Sequence, residues 1–152
     1  MLKITPFKYE YVPAPVAGPA EKRPVLVLVH GRTGNIQVLK WYTKRFLIPG
    51  LSYLLVEAPY PDQNPKSPDP GFSWYLKGHE GIDDSRRGLE SMVEELKSQG
   101  VTARDLYWLG FSQGAAMSLD VALRSKEMFG GFVCISGLCV QPEKFPAGFG
   151  TC

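Results

Sequence analysis

Asp105-Leu106-Tyr107-Trp108-Leu109-Gly110-Phe111-Ser112-Gln113-Gly114-Ala115-Ala116-Met117 is the stretch that decides the fold. A short apolar run, Leu106–Leu109, enters Gly-x-Ser-x-Gly, and a helical pattern then runs from about Gln113 to Ser125. A strand that turns this sharply into a helix holds the serine in a strained backbone conformation, with its Oγ projecting above the sheet. Side chains two positions either side of Ser112 would collide across the bend, so Gly110 and Gly114 fit the need. Ala115 and Ala116 keep the first helical turn thin, and amides at a helix start favour negative charge. The five-residue pattern alone is a weak signal, and its strand–helix context is what makes it specific.

Outward from this stretch, other apolar runs repeat the theme. Val25–Val29 is five consecutive Val and Leu residues, as in a strand covered on both faces. Leu51–Val56 and Gly131–Ile135 read the same way, and Lys8–Val12 alternates more loosely, as an edge strand does. Gln37–Leu47 reads as a helix carrying Val38, Leu39, Trp41, Tyr42, Phe46 and Leu47. The clearest helix runs from about Asp84 to Ser98, with Ile82, Leu89, Met92, Val93 and Leu96 on one face, Asp83 as the expected N-cap and Gly100 as the stop. Prolines cluster at Pro6–Pro24 and Pro59–Pro70, which read as loops. Buried strands alternating with helices predict a mostly parallel sheet with helices on both faces, its chemistry at the carboxyl ends of the strands.

The 152 residues predict a single domain, divided into a lead-in with an edge strand and a Pro-rich stretch over 1–24, a core over 25–140 and an irregular tail over 141–152. Basic and acidic residues nearly cancel (17 against 15, net +2), so the overall balance carries no footprint for nucleic acid and no polybasic membrane signature. No apolar run approaches the length of a membrane span, and the first residues lack a secretory h-region. Three cysteines without a CxxC pair predict neither a disulfide framework nor a zinc site. Cys134 reads as a buried thiol, and a reducing, cytoplasmic location fits this usage. No metal or cofactor motif is visible, so none is expected.

The first buried strand ends in His30-Gly31-Arg32-Thr33-Gly34-Asn35. A His-Gly turn there is placed to supply a second anion-binding amide beside the serine. The expected oxyanion donors are the backbone N–H groups of Arg32 and Gln113. The Arg32 side chain reads as a salt-bridge partner and His30 as a structural hydrogen-bonder. His79, in Lys77-Gly78-His79-Glu80-Gly81, reads as a solvated loop residue unless that loop folds over Ser112.

Taken together, His30-Gly31-Arg32, Phe72-Ser73-Trp74-Tyr75, Gly110-Phe111-Ser112-Gln113-Gly114-Ala115 and Ile135-Ser136-Gly137 resemble the phospholipase/carboxylesterase family, the α/β-hydrolase group that includes the acyl-protein thioesterases. The resemblance covers about residues 22 to 141. It implies a small cytosolic serine hydrolase that cleaves carboxylic esters or thioesters through an acyl-enzyme on Ser112, without metal or organic cofactor. It also implies that Trp74 and Tyr75 line the acyl pocket. The Gly31-Arg32-Thr33-Gly34 turn departs from the Gly-Leu-Gly-Asp type common in thioesterase relatives.

A larger departure follows Ser112. The fold places its acid and then its histidine after the serine. The forty residues beyond Ser112 contain no histidine, and their only acids are Asp120, Glu127 and Glu143. None of the three follows a buried strand as the family's acid does. The expectation is an incomplete α/β-hydrolase domain lacking the last strands and helices, weakly active or inactive by itself. The alternative is a catalytically inactive binding or scaffold protein on the same fold. Gly131–Ile135 would then be an exposed apolar edge, offering a route to a homodimer.

Overall fold

The computed structural model describes residues 2–14, 24–46 and 48–145; the rest of the Pro-rich lead-in and of the tail, and the expected helix end at Leu47, lie outside them. In chain order the elements are β1 (Tyr9–Val12), β2 (Val25–Val29), α1 (Ile36–Thr43), β3 (Ser52–Val56), β4 (Tyr60–Pro61), β5 (Phe72–Ser73), α2 (Ile82–Ser98), β6 (Leu106–Phe111), α3 (Gln113–Arg124) and β7 (Gly131–Ile135). One sheet runs β1-β3-β2-β6-β7, and β4 pairs with β5 in a separate two-stranded ribbon. Only β1 is antiparallel within the large sheet, pairing Tyr9 with Val56. Val25 pairs with both Ser52 and Leu106, and Tyr107 with Gly131, all in parallel register. This is the mostly parallel sheet with helices on both faces that the sequence predicts.

The topology positions the site. From β2 the chain moves to β3 on one side, then returns to β6 on the other. The loops leaving the carboxyl ends of β2 and β6 therefore diverge and leave a crevice between them. Those loops are His30–Asn35 and the bend at Ser112.

The two faces of the sheet are filled unequally. Val25, Val27, Val29, Leu106 and Trp108 point towards α2 and α3, whose Leu89, Met92, Leu96 and Met117 join them in the main core. Leu28, Tyr53 and Leu55 point the other way and are covered by Ile36 and Leu39 of α1. The alternation is what period-two side-chain geometry requires of a sheet buried on both sides. Beyond α1, Tyr107, Phe111, Val133 and Ile135 of β6 and β7 are exposed on this second face.

Several expectations are corrected. Helix α2 begins at Ile82, with Gly81 in the left-handed region at the cap position, so Asp83 lies in the first turn and not at the cap. Helix α1 begins one residue early because Asn35 caps it, its side chain accepting from Val38 N–H. It ends at Thr43, short of the expected Leu47, and Val38, Trp41 and Tyr42 face solvent. The Pro59–Pro70 loop is flanked by the β4–β5 ribbon, which closes back on the Gly31–Gly34 turn through Phe72 N–H to Gly34 O at 2.9 Å. Strand β7 lies at the sheet edge among the described residues, as expected, but its faces are not covered like those of β2, and Cys134 is half-buried, its thiol pKa raised by that burial.

Among the described residues nothing pairs with the outer side of β7, and Val133 and Ile135 flank that edge with apolar surface. Such an edge templates pairing with another strand. The 152-residue chain is expected to show concentration-dependent mass in light scattering, and the Val133→Lys/Ile135→Lys pair to shift it towards monomer. A parent that stays monomeric on concentration contradicts this.

Candidate active site

Ser112 has φ 51° and ψ −116°, a conformation L-residues rarely adopt. Two hydrogen bonds hold it there. Its N–H donates to Ile135 O at 2.8 Å, and its carbonyl accepts from Ala116 N–H at 3.0 Å to open α3. The flanking glycines answer two different constraints. A Cβ on Gly110 would lie 2.6 Å from Gly114 O and 2.7 Å from Ala115 N, a collision across the bend itself. A Cβ on Gly114 would instead run into the carbonyl oxygens of Val29 and His30 at the end of β2. Helix α3 can thus start only where its backbone presses against the neighbouring strand.

The same close approach brings the His-Gly turn to the serine. A Cβ on Gly31 would meet the Phe111 ring at 3.0 Å and Ser112 Cβ at 3.4 Å. Arg32, Ser112 and Gln113 border one open cleft of about 370 Å³, with Tyr75, Lys77, His79, Ser136 and Leu138 around it. Among the described residues neither the Arg32 nor the Gln113 backbone N–H donates a hydrogen bond.

The side chains of these two residues have other partners. Arg32 Nε donates to Asp62 Oδ2 at 2.8 Å, the expected salt bridge. The Arg32 and Ser73 hydrogen bonds hold the Asp62 carboxyl below its ordinary pKa, and Asp62 in turn raises that of Arg32. Ser73 Oγ donates to the same Asp62 oxygen at 2.8 Å and accepts from Thr33 N–H at 3.2 Å. Gln113 Oε1 accepts from Trp74 N–H at 2.8 Å, and its Nε2 donates to Tyr75 O at 2.7 Å. Asp62, Ser73 and the Gln113 side chain were not singled out from the sequence; the one hint was the Ser73 position in the aromatic segment.

Trp74 does not line the cleft, contrary to expectation. It is fully buried, packs edge-on to Phe7 at 5.4 Å and beside His30 at 5.5 Å, and its Nε1 donates to His30 O at 2.8 Å. A ring with a polar edge serves here to brace the His30–Gly34 turn from below. Tyr75 does line the cleft, half-buried, and burial raises its pKa.

His30 is buried with both ring nitrogens engaged. Nε2 accepts from Ala58 N–H at 3.0 Å, which places the proton on Nδ1 to donate to Gly31 O at 2.7 Å. Desolvation lowers its pKa and keeps it neutral, so it braces the turn and has no lone pair for Ser112. His79 sits in the left-handed region (φ 66°), borders the same cleft and stacks edge-on to Tyr75 at 5.6 Å, without a hydrogen bond to Ser112. Of the later acids, Asp120 is buried in α3 and bonded to Arg124 Nε at 2.8 Å, and Glu127 pairs with Lys97 at 2.6 Å. Glu143 borders a neighbouring hollow with Tyr75 and His79. Among the described residues no group of three His, Cys, Asp or Glu is placed to hold a metal ion.

The strained serine at a strand–helix bend, facing a glycine turn across a crevice in a parallel sheet, is the arrangement of the α/β-hydrolase class. The phospholipase/carboxylesterase profile matches residues 14–152, and the chain belongs to that family. It is similar to acyl-protein thioesterase 1 of Kluyveromyces lactis, 37% identical over 60 residues that make up 40% of this chain and 26% of that protein. It is likewise similar to acyl-protein thioesterase 1 of Yarrowia lipolytica, 34% identical over 100 residues, 57% of this chain and 43% of that protein. The chain thus spans under half the length of these curated relatives. The crystal structure of esterase PE8 superimposes with a TM-score of 0.72 at 27% identity, over 91% of this chain and 67% of that one. A phospholipase/carboxylesterase from Dyadobacter fermentans shares the fold, with a TM-score of 0.62 at 21% identity over 90% of this chain and 62% of that one.

Asp62 accepts from both Arg32 and Ser73, so Asp62→Ala should loosen the Gly31–Gly34 turn and cost about 1–3 kcal/mol at neutral pH in denaturant unfolding. Because the folded-state pKa of Asp62 is depressed, its contribution is complete above the ordinary carboxylate pKa and fades as pH falls through the lower, folded value. The stability gap between parent and variant should therefore narrow in acid and hold steady above about pH 5. A gap independent of pH would remove the ionised carboxylate from the account.

Proposed function

We propose that this chain is the nucleophile-bearing part of a serine hydrolase acting on carboxylic esters or thioesters. The observation that carries the reading is the strained Ser112 bend set against Gly31, with the Arg32 and Gln113 amides at the same cleft and neither donating a hydrogen bond among the described residues. In this reading Ser112 Oγ attacks the acyl carbon while a general base takes its proton. The negative charge that develops on the acyl oxygen is met by the two amides, which need no reorganisation to receive it. Collapse expels the alcohol or thiol, which takes a proton from the protonated base, and leaves an acyl ester on Ser112. Water, activated by the same base, then hydrolyses that ester.

The base and the acid are not identified among the described residues. His30 is neutral, buried and bonded at both nitrogens, His79 borders the cleft without a hydrogen bond to Ser112, and Asp120 and Glu127 are held in ion pairs away from the cleft. The substrate is a small-molecule acyl ester or thioester, and no cofactor enters the mechanism. The absence of a histidine bonded to Ser112 among the described residues favours one second reading, an inactive acyl-ligand binder on the same fold.

A fluorophosphonate probe is expected to label Ser112 in the full-length protein and to leave Ser112→Ala unlabelled. Hydrolysis of p-nitrophenyl and thioester substrates should fall by about 10,000-fold or more in that variant. Equal labelling of both proteins refutes the nucleophile. Binding of acyl ligands without turnover or labelling favours the second reading.

A further inference from the structure

Helix α1 carries its apolar surface on two opposite sides. Ile36, Leu39 and Thr43 are buried against the sheet. On the outer side, Val38 and Trp41 are 51% and 53% exposed, and Tyr42 is exposed beside them. The turn that follows adds Phe46 and Ile48, 43% and 50% exposed. The rings form one cluster: Trp41 meets Tyr42 edge-on at 5.2 Å, and Tyr42 stacks on Phe46 at 6.2 Å. An apolar cluster of this kind marks an interaction surface, whereas single exposed residues do not.

Its charge selects the partner. The sequence holds no Asp or Glu between Glu21 and Glu57, while Lys40, Lys44 and Arg45 fall within the patch. Lys40 is paired with Glu10 at 2.6 Å, and Arg45 lies over the Trp41 ring at 4.0 Å. Lys44 is exposed and makes no ion pair among the described residues. One acid, Asp69, borders the hollow that Gln37, Val38, Trp41 and Tyr42 form at the other end of the patch. Rings with apolar bodies and polar tips, set beside cations, match the boundary between lipid headgroups and acyl chains.

We propose that the outer face of α1 and the turn after it dock the protein peripherally on an anionic lipid surface, with Trp41, Tyr42 and Phe46 entering the headgroup region and Lys44 and Arg45 meeting the lipid charge. The net charge of +2 conceals this patch because the acids lie elsewhere in the chain. The surface is separate from the crevice, although the Asn35 cap joins it directly to the oxyanion turn.

Trp41 supplies its own probe, since Trp74 and Trp108 are fully buried and Trp41 is the exposed tryptophan of the three. The full-length protein is mixed with vesicles of phosphatidylcholine alone, or with about one-third phosphatidylglycerol. The anionic vesicles are expected to shift its emission to the blue, protect it from acrylamide and co-sediment the protein; added salt should weaken all three. Trp41→Ala/Phe46→Ala should partition about tenfold more weakly in co-sedimentation. Lys44→Glu/Arg45→Glu should lose at least as much on anionic vesicles. Three results overturn the proposal: no response to anionic vesicles, unchanged binding by both variants, or a Trp41 already shielded from acrylamide without lipid. A fourth is a change of oligomeric mass, without any change in vesicle binding, on substituting Trp41 and Phe46, which would make the patch a protein interface.

Discussion

Two loops at the carboxyl ends of β2 and β6 must be held a few ångströms apart, and the side-chain amide of Gln113 is the part that ties them. It grips Trp74 N–H and Tyr75 O, while the Trp74 indole reaches under to His30 O. The segment from Phe72 to Tyr75 is thereby stitched to both loops, with Phe72 N–H on Gly34 O and Ser73 Oγ under Thr33 N–H. This bridge adds to the β2–β6 pairing and the Gly114 contact in fixing the distance between the glycine turn and Ser112. Under the proposed function the same bridge would hold the amide donors in place before the reaction.

The bend itself is a packing problem solved by missing atoms. Gly110 must be bare because the chain returns on itself, and Gly114 because β2 passes beneath it. Strain at Ser112 persists because a strand, a helix start and a neighbouring carbonyl together over-determine its backbone. Buried His30 belongs to the same scaffold. Its neutral ring fixes Gly31 O on one side and Ala58 N–H on the other, joining the glycine turn to the segment after β3.

The parallel sheet and the elbow were legible in the sequence because both rest on local pattern. Val25–Val29 is a run that only a doubly covered strand uses, and Gly-Phe-Ser-Gln-Gly between strand and helix has few other uses. What could not be read depends on residues far apart in the chain. Trp74 looks like a pocket residue because the sequence does not reveal that Phe7 and His30 enclose it. Asp62 looks like one more loop acid until Arg32 and Ser73 converge on it. The outward face of α1 was not legible for a similar reason: helical spacing shows that Val38, Trp41 and Tyr42 lie near one another, but not which way they point.

Ser112 N–H donates to Ile135 O, and Ile135 belongs to the outermost strand of the sheet. The strained backbone of the bend is therefore tied to the pairing of β7 with β6 through a single backbone hydrogen bond, so two features far apart in the chain stand or fall together.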